Sequence, residues 1–336
     1  MNEKQVRDAF FDNARAILIF LVVFGHLIAD RVGEAGWMRD LYYAFYLFHM
    51  PAFVFITGYF SKNTEKGRAG AVNSFLIPYL VFNTLFALCN YLFTGQLGVF
   101  VHKYNVTKPQ WGMWFFLACF IWKMLAPEFK KLRFAVPVAF VLGLILPVFP
   151  GFNTTFTLGR VVGFLVFFVA GLVCPAEYIE KIKRIPKWVS GVAFVGLTAV
   201  SIWISRSGWM IKETLYLRST YDAGEKWEQM VMRLVLYVMA SLLTIAFLNL
   251  VSRRQCLLTS IGRNTLTVYV GHLFVVHMIK KLEILDGKPF VYLPVAVLMA
   301  AVLTWILSRE WVRKLYDWAM GLVLTILFRK EKENKK

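Results

Sequence analysis

An arginine and a histidine, eleven residues apart, lie in a long apolar stretch near the start of the chain. The stretch runs from Asp12 through Arg15 and His26 to Asp30. Ionisable groups at membrane depth are costly and by default mark a functional site. On an α-helix, eleven residues end about 20° past three full turns and about 16 Å along the axis. The spacing therefore predicts that Arg15 and His26 lie at two levels of one helix face.

These two side chains suit proton transfer and anion binding. A neutral His26 can act as a general base, and Asp30, four residues further on, could orient its ring. The alternative for a histidine inside a membrane is a hydrogen bond between helices. Arg15, with Asp12 three residues before it, is either an interfacial anchor or a ligand for an anion that arrives from the cytoplasm.

Two further histidines, His49 and His272, lie deep in other apolar stretches. Three imidazoles at such depth predict a shared polar cavity, which we expect to be reachable from the cytoplasmic side. His49 precedes Pro51, and a proline frees a backbone carbonyl in its helix. A purely local hydrogen bond is therefore the competing interpretation of His49.

The elements that must position these residues are transmembrane helices. Of the 336 residues, 58% are hydrophobic and only 17% are charged, which is too apolar for an ordinary soluble domain. A net charge of +18 would suggest nucleic acid in a soluble protein, but the basic residues fall in short segments between apolar runs. Membrane topology is the simpler explanation, so no nucleic-acid partner is expected.

We predict an all-α, polytopic helical bundle with ten spans. The predicted spans are 14–32, 41–60, 72–95, 111–127, 133–150, 160–175, 187–206, 228–251, 264–281 and 290–308. The bias of Lys and Arg among the connecting segments predicts both termini in the cytoplasm. Residues 1–310 form one predicted transmembrane domain, and 311–336 an interfacial helix with a basic tail.

The largest predicted outer loop, 207–229, mixes polar and aromatic residues. It is interpreted either as a cover over a substrate entrance or as a solvated connection with interfacial aromatic residues. The four cysteines stand singly, without a Cys-x-x-Cys pair, and therefore do not indicate a metal site.

Several stretches resemble a known family. Arg15 and His26 match the arginine, ten residues, histidine signature of the membrane-bound acyltransferase 3 family, and the surrounding run resembles its fucose 4-O-acetylase-like branch. Four later blocks resemble the same branch in order: Phe48 to Tyr59, Leu76 to Leu80, Trp114 to Ala118, and Ile261 to His272. One departure lies just before the third-helix proline, where the family commonly carries basic residues and this chain has Val72 to Phe75, with Arg68 as the nearest cation.

The resemblance implies transfer of an acyl group, most often acetyl, from acyl-CoA to a carbohydrate hydroxyl at the bacterial cytoplasmic membrane. Acetyl-CoA would be the co-substrate, and no metal is expected. His26, His49 and His272 are the candidate catalytic residues, together with Arg15. The donor phosphates would be held by Arg15 and Arg68, and the candidate substrate-binding residues are Tyr59, Trp111, Trp114 and Tyr269.

The competing prediction is a polytopic transporter or flippase that uses the buried histidines for solute binding or proton relay. Such proteins are commonly built from inverted repeats with interrupted helices in matching halves, and no such repeat is evident in this sequence. A weaker alternative is a sensor or structural membrane protein, in which Arg15 and His26 would be replaceable.

Overall fold

A computed structural model describes residues 8–94, 104–209, 212–285 and 287–328. These residues form α-helices with a few short 3₁₀ and π segments, and the described ranges contain no strand. In chain order the helices are α1 (Ala9–Ile28), α2 (Gly36–Tyr59), α3 (Thr64–Ala69), α4 (Ile77–Thr94), α5 (Trp114–Lys131), α6 (Ala135–Ile145), α7 (Leu158–Val173), α8 (Ala176–Arg184), α9 (Lys187–Arg206), α10 (Lys212–Tyr216), α11 (Lys226–Leu250), α12 (Leu257–Gly262), α13 (Thr265–Lys281), α14 (Pro289–Leu307) and α15 (Glu310–Leu327).

The prediction of a polytopic membrane helical bundle is confirmed. Within the described residues, eight helical segments are long and apolar enough to cross a membrane. They are Ala9–Ile28, Gly36–Tyr59, Val72–Leu92, Trp111–Lys131, Thr155–Val173, Lys187–Arg206, Lys226–Leu250 and Pro289–Leu307. The other two predicted spans, 133–150 and 264–281, correspond to shorter helices: an apolar segment over Ala135–Val148, and α13 with 17 residues.

Helix α1 lies in the middle of the bundle. It packs against α2, α12, α13 and α14. Most of its side chains are buried, and the buried ones lie on all faces of the helix. A helix that is apolar around its whole circumference is expected in the interior of a membrane bundle. The helix with the Arg15 to His26 spacing is therefore the one that the other helices surround.

The start of α1 is held by polar contacts. The Asp8 carboxylate caps the helix by accepting a hydrogen bond from the Phe10 amide at 2.9 Å. The buried Asn13 amide donates to the carbonyls of Ser252 and Arg254, at 2.8 and 2.9 Å, and accepts from the Thr259 hydroxyl at 2.7 Å. These contacts anchor α1 to the connection between α11 and α12.

Helices α2 and α7 cross closely because each has a glycine at the contact. A Cβ atom at Gly58 would collide with the backbone carbonyl of Phe168, and one at Gly171 would collide with that of Phe55. Small residues let helix backbones approach each other in membrane proteins, where no hydrophobic effect drives helices together. This crossing sets the distance between the two helices that carry His49 and Arg160.

Helix α15 follows α14 after a break at Ser308 and Arg309. It begins with Glu310, which forms an ion pair with Arg313 at 2.6 Å, and most of its side chains are exposed. Its assignment as an interfacial helix stays a prediction, and the basic tail beyond residue 328 lies outside the described residues.

Candidate active site

A cavity of about 380 Å³ lies at the end of α1 that contains His26. We call it the outer cavity, because its rim comes from segments that the sequence predicts on the outer side of the membrane. Its lining residues are His26, Ala29, Asp30, Tyr46, Pro109, Trp111, Trp114, Asn153, Thr154, Thr157, Arg160, Glu213, Tyr216 and Arg218. A smaller cavity of about 30 Å³ shares His26, Tyr46, Trp114, Arg160 and Tyr216 with it, and adds His49 and Tyr269.

The His26 ring is partly exposed to this cavity and packs between two aromatic rings. Its centre lies 4.6 Å from the Trp111 ring and 5.2 Å from the His272 ring, both in edge-on geometry. Helices α1 and α13 thus bring His26 and His272 into contact although 246 residues separate them in the chain. This contact places two of the three predicted catalytic histidines side by side.

Both His272 and His49 are buried, and each bonds to its own helix. His272 Nδ1 lies 2.9 Å from the Val268 carbonyl, and His49 Nδ1 lies 3.0 Å from the Phe45 carbonyl. Because a carbonyl oxygen only accepts hydrogen bonds, Nδ1 carries the proton in each ring and Nε2 is the free lone pair of the neutral form. His272 Nε2 is buried without a hydrogen-bond partner among the described residues, so it is available to a neighbouring donor.

His49 forms a hydrogen bond within its own helix, which is the competing interpretation given in the sequence analysis. Its acceptor is the Phe45 carbonyl, four residues earlier. The ring nevertheless lines the smaller cavity and lies 4.5 Å from the Tyr46 ring, centre to centre. His49 therefore takes part in both arrangements: a helix-internal hydrogen bond through Nδ1 and the wall of the cavity through the rest of its ring.

Arg160, on α7, lines both cavities and was not singled out from the sequence. Its guanidinium carbon lies 4.7 Å from the centre of the Trp114 ring and 5.9 Å from that of Tyr216. Arg160 comes directly after Gly159, at the start of an apolar stretch that follows a polar, loop-like segment. The available signal was a single arginine at the edge of an apolar span, which is usually an interfacial anchor.

Strained backbone surrounds the outer cavity. Among the described residues, five non-glycine residues have positive φ, and four of them are Trp111 (39°), Phe156 (48°), Thr157 (53°) and Leu217 (50°). Each of the four either lines the cavity or neighbours a residue that does. Such conformations cost about 1–3 kcal/mol each and cluster at functional sites, which supports this cavity as the site.

Three residues of the predicted outer loop 207–229 contribute to the cavity wall. Glu213, Tyr216 and Arg218 all line it, and the Tyr216 hydroxyl lies 2.7 Å from that of Tyr42 on α2. Burial raises the pKa of the Tyr216 phenol above its ordinary value, so it stays a neutral hydroxyl. Of the two interpretations of this loop, the arrangement supports a cover over the cavity.

The proposed donor-binding residues lie at the opposite end of α1. Arg15 forms an ion pair with the buried Asp12 at 2.5 Å, and its guanidinium lies 5.2 Å from the Phe60 ring centre. Tyr59 is at the same end, where its ring stacks on Phe11 with a centroid distance of 4.8 Å. None of these residues lines the outer cavity.

Arg68 lies on the short helix α3, also at the Arg15 end. Its guanidinium donates to the Met124 carbonyl and pairs with Glu128 at 3.0 Å, so its contacts are with α5. Trp111, Trp114 and Tyr269, in contrast, lie near His26, and the Tyr269 hydroxyl donates to the Gly112 carbonyl. The predicted site residues therefore divide into two groups. Arg15, Tyr59 and Arg68 lie at the inner end of α1, and Trp111, Trp114 and Tyr269 lie near His26 at the outer end.

Asp30 has a different partner from the one expected. It lines the cavity, but its carboxylate accepts from the Lys280 ammonium at 2.6 Å and is largely exposed. The ring that contacts His26 on its buried side is His272. Of the three histidines only His26 lines the outer cavity; His49 lines the smaller cavity, and His272 lines neither. The outer cavity is bordered by the segments 109–111, 153–157 and 213–218, whereas access was predicted from the Arg15 end.

A family profile described as an acyltransferase domain, acyltransferase 3, matches residues 8–309, nearly the whole chain. The chain belongs to the acyltransferase 3 family. Its helices α1 to α14 and the outer cavity therefore all lie within the acyltransferase 3 match.

Two proteins named nodulation protein NolL are relatives of this acyltransferase 3 chain. The one from Sinorhizobium fredii (strain NBRC 101917 / NGR234) is 31% identical over 142 residues, which cover 38% of each chain. The one from Mesorhizobium japonicum (strain LMG 29417 / CECT 9101 / MAFF 303099) is 36% identical over 88 residues, 24% of each. The matched parts thus span well under half the length of these relatives, and no solved structure matches the chain.

Proposed function

We propose that this protein is an integral membrane O-acyltransferase that moves an acetyl group from acetyl-CoA to a hydroxyl of a cell-envelope carbohydrate, at the bacterial cytoplasmic membrane. The observation that carries the proposal is His26 at the floor of the outer cavity, in contact with His272. Membership of the acyltransferase 3 family supports the reaction class. The donor, the acceptor and the role of each residue are parts of the proposal.

His26 acts as the general base. Its neutral ring takes the proton from the acceptor hydroxyl as that oxygen attacks the thioester carbonyl, and the thiolate of the donor leaves. His272 packs edge-on against His26, with the ring centres 5.2 Å apart, and so helps to fix the orientation of the His26 ring. Because His272 Nε2 has no hydrogen-bond partner among the described residues, the contact between the two rings is one of packing.

The donor approaches from the Arg15 end. Its phosphates are held by Arg15, whose planar guanidinium suits phosphate oxygens, and its acyl arm extends along α1 toward His26, about 16 Å further on. Arg68 is a weaker candidate for the same role, because its guanidinium already bonds to Met124 and Glu128. Arg15 is likewise paired, with Asp12, so donor binding requires the phosphate to share or displace that partner.

The acceptor enters through the outer cavity. Its aromatic walls, formed by Trp111, Trp114 and Tyr216, offer flat apolar surface to a sugar ring. The volume of about 380 Å³ is in the range of small-molecule sites. Donor and acceptor thus reach His26 from opposite ends of α1, which agrees with a cytoplasmic donor and an acceptor on the outer side.

The deciding experiment compares purified wild type with His26→Gln, in detergent, with radiolabelled acetyl-CoA and isolated envelope glycans. Loss of the general base predicts a fall in the transfer rate of about 10²–10⁴-fold. His272→Gln should give a smaller fall, because it removes only the partner that orients His26.

The matched control is His277→Gln, which changes a histidine of α13 that bonds to Asn90 at 2.7 Å and does not line the outer cavity. It should keep the wild-type rate. A folded His26→Gln protein that transfers label as fast as wild type would refute the role of His26. Wild type that produces no ester-linked label from acetyl-CoA would instead favour the transporter.

A further inference from the structure

Two arginines line the outer cavity without a carboxylate partner. Arg160 and Arg218 make no ion pair and no side-chain hydrogen bond with any residue in the ranges 8–94, 104–209, 212–285 and 287–328. Cations taken out of water in membrane proteins are almost always paired, because an unpaired charge in a poorly solvated site is costly. The missing partner of this pair of cations is therefore expected in a ligand.

The acidic residues of the cavity do not supply that partner. Asp30 is bound to Lys280 at 2.6 Å, and Glu213 lies beyond ion-pair distance of both arginines. Contacts with aromatic faces offset only part of the cost of desolvating a guanidinium. With Asp30 paired to Lys280, the remaining charged residues of the cavity are Arg160, Arg218 and Glu213, which leaves a surplus of one positive charge.

The two guanidinium groups lie around one aromatic ring. Their central carbons are 5.9 Å (Arg160) and 5.4 Å (Arg218) from the centre of the Tyr216 ring, so both reach the same part of the cavity. Arg160 also lies over Trp114, one of the flat surfaces proposed for the sugar. Arginine binds carboxylate and phosphate oxygens through paired N–H groups, and two arginines that line one cavity suit an anionic ligand.

We propose that the acceptor is an anionic carbohydrate, and that Arg160 and Arg218 bind its carboxylate or phosphate while its hydroxyl faces His26. This inference rests on the proposed function and names its substrate class. The donor phosphates do not explain the two arginines, because the proposed donor site lies at the Arg15 end. The anionic group anchors the acceptor at the outer rim, and the aromatic residues hold its ring.

The test measures acetyl transfer to three glycosides that differ only at carbon 6: methyl glucoside, methyl glucuronide and methyl glucoside 6-phosphate. Wild type should prefer at least one anionic glycoside over the neutral one by about 10- to 100-fold in kcat/KM, as expected for charge-assisted hydrogen bonds. Comparison of kcat/KM for the glucuronide and for the 6-phosphate shows whether the site prefers a carboxylate or a phosphate. A neutral glycoside used as well as both anionic ones overturns the proposal.

The variants Arg160→Gln and Arg218→Gln should each remove most of this preference by lowering kcat/KM for the anionic glycoside. Arg133→Gln, which changes an exposed arginine between α5 and α6, is the matched control and should keep it. If Arg160 instead stabilised the reacting oxyanion, Arg160→Gln would slow the charged and neutral acceptors equally. If both arginine variants lose the same fraction of kcat/KM for the charged and the neutral glycosides, the proposal is overturned.

Binding without a donor separates this inference from the proposed function. Trp111 and Trp114 line the cavity, so their fluorescence should respond to the anionic glycosides in wild type and not in a folded Arg218→Gln protein. Binding of this kind without any acetyl transfer would support the anion site and refute the acyltransferase. Transfer with no difference in binding between charged and neutral glycosides would refute the anion site alone.

Discussion

Arg15 and Arg160 show how differently two arginines of one membrane protein can be used. Arg15 pairs with the fully buried Asp12 at 2.5 Å, and Arg263 approaches the other oxygen of that carboxylate at 3.9 Å. Arg160 contacts aromatic faces in a cavity. The first arrangement carries its counter-ion within the protein, whereas the second is the one for which we propose an anionic ligand.

The pair of Arg15 and Asp12 permits a test that separates donor binding from stability. Arg15→Gln removes the ion pair that the buried Asp12 makes at 2.5 Å, which should lower the free energy of unfolding by about 3 kcal/mol. If Arg15 also holds the donor phosphates, the KM for acetyl-CoA should rise about 10-fold or more, with the KM for the acceptor unchanged.

The double variant Arg15→Gln/Asp12→Asn provides the control, because it removes both charges. Its midpoint of thermal unfolding in detergent should return toward wild type while the KM for acetyl-CoA stays high. Recovery of both properties together would mean that Arg15 acts only as the partner of Asp12.

At the scale of elements, four helices bring the site together. Helix α1 carries His26, α13 carries His272, and α7 carries Arg160, while α2 contributes His49 next to α7. The glycine contact between α2 and α7 controls how far Arg160 lies from the histidines. Site geometry is therefore sensitive to residues that touch no substrate.

Gly171→Ala should disturb this crossing. The added Cβ would meet the Phe55 carbonyl of α2, and such overpacking costs about 1–3 kcal/mol. We expect a lower unfolding midpoint in detergent and reduced acetyl transfer. Gly196→Ala, on the exposed face of α9 with no atom within 4 Å of the new Cβ, is the matched change and should leave both unaltered. If the two variants have the same unfolding midpoint and the same transfer rate, α2 and α7 can separate without loss of stability or activity.

At the scale of the whole molecule, the two ends of the bundle carry different chemistry. The end that contains Arg15 and Arg68 is the one that the distribution of Lys and Arg predicts to face the cytoplasm. The outer cavity opens at the other end, beneath segments 109–111, 153–157 and 213–218. This polarity agrees with the proposal of a donor from inside the cell and an acceptor on the outer side.

Orientation can be measured with a cysteine at the cavity rim. Gly151 is exposed, with no atom within 4 Å of an added Cβ, so Gly151→Cys should be tolerated. An impermeant maleimide should label this cysteine in intact cells, or in spheroplasts if an outer membrane is present. The native, exposed Cys256 should react only after permeabilisation. The reverse order of labelling would invert the topology and place the acceptor site in the cytoplasm.

The sequence alone determined the class of the fold and the central helix. Apolar runs of spanning length predict transmembrane helices because backbone polar groups in lipid must bond within a helix. The Arg15 to His26 spacing follows from helix geometry. Only tertiary structure decided that His272 contacts His26, that Arg160 joins them, and that Arg15 lies away from the cavity. Local sequence encodes the period of a helix, whereas contacts between α1, α7 and α13 depend on how helices distant in the chain pack together.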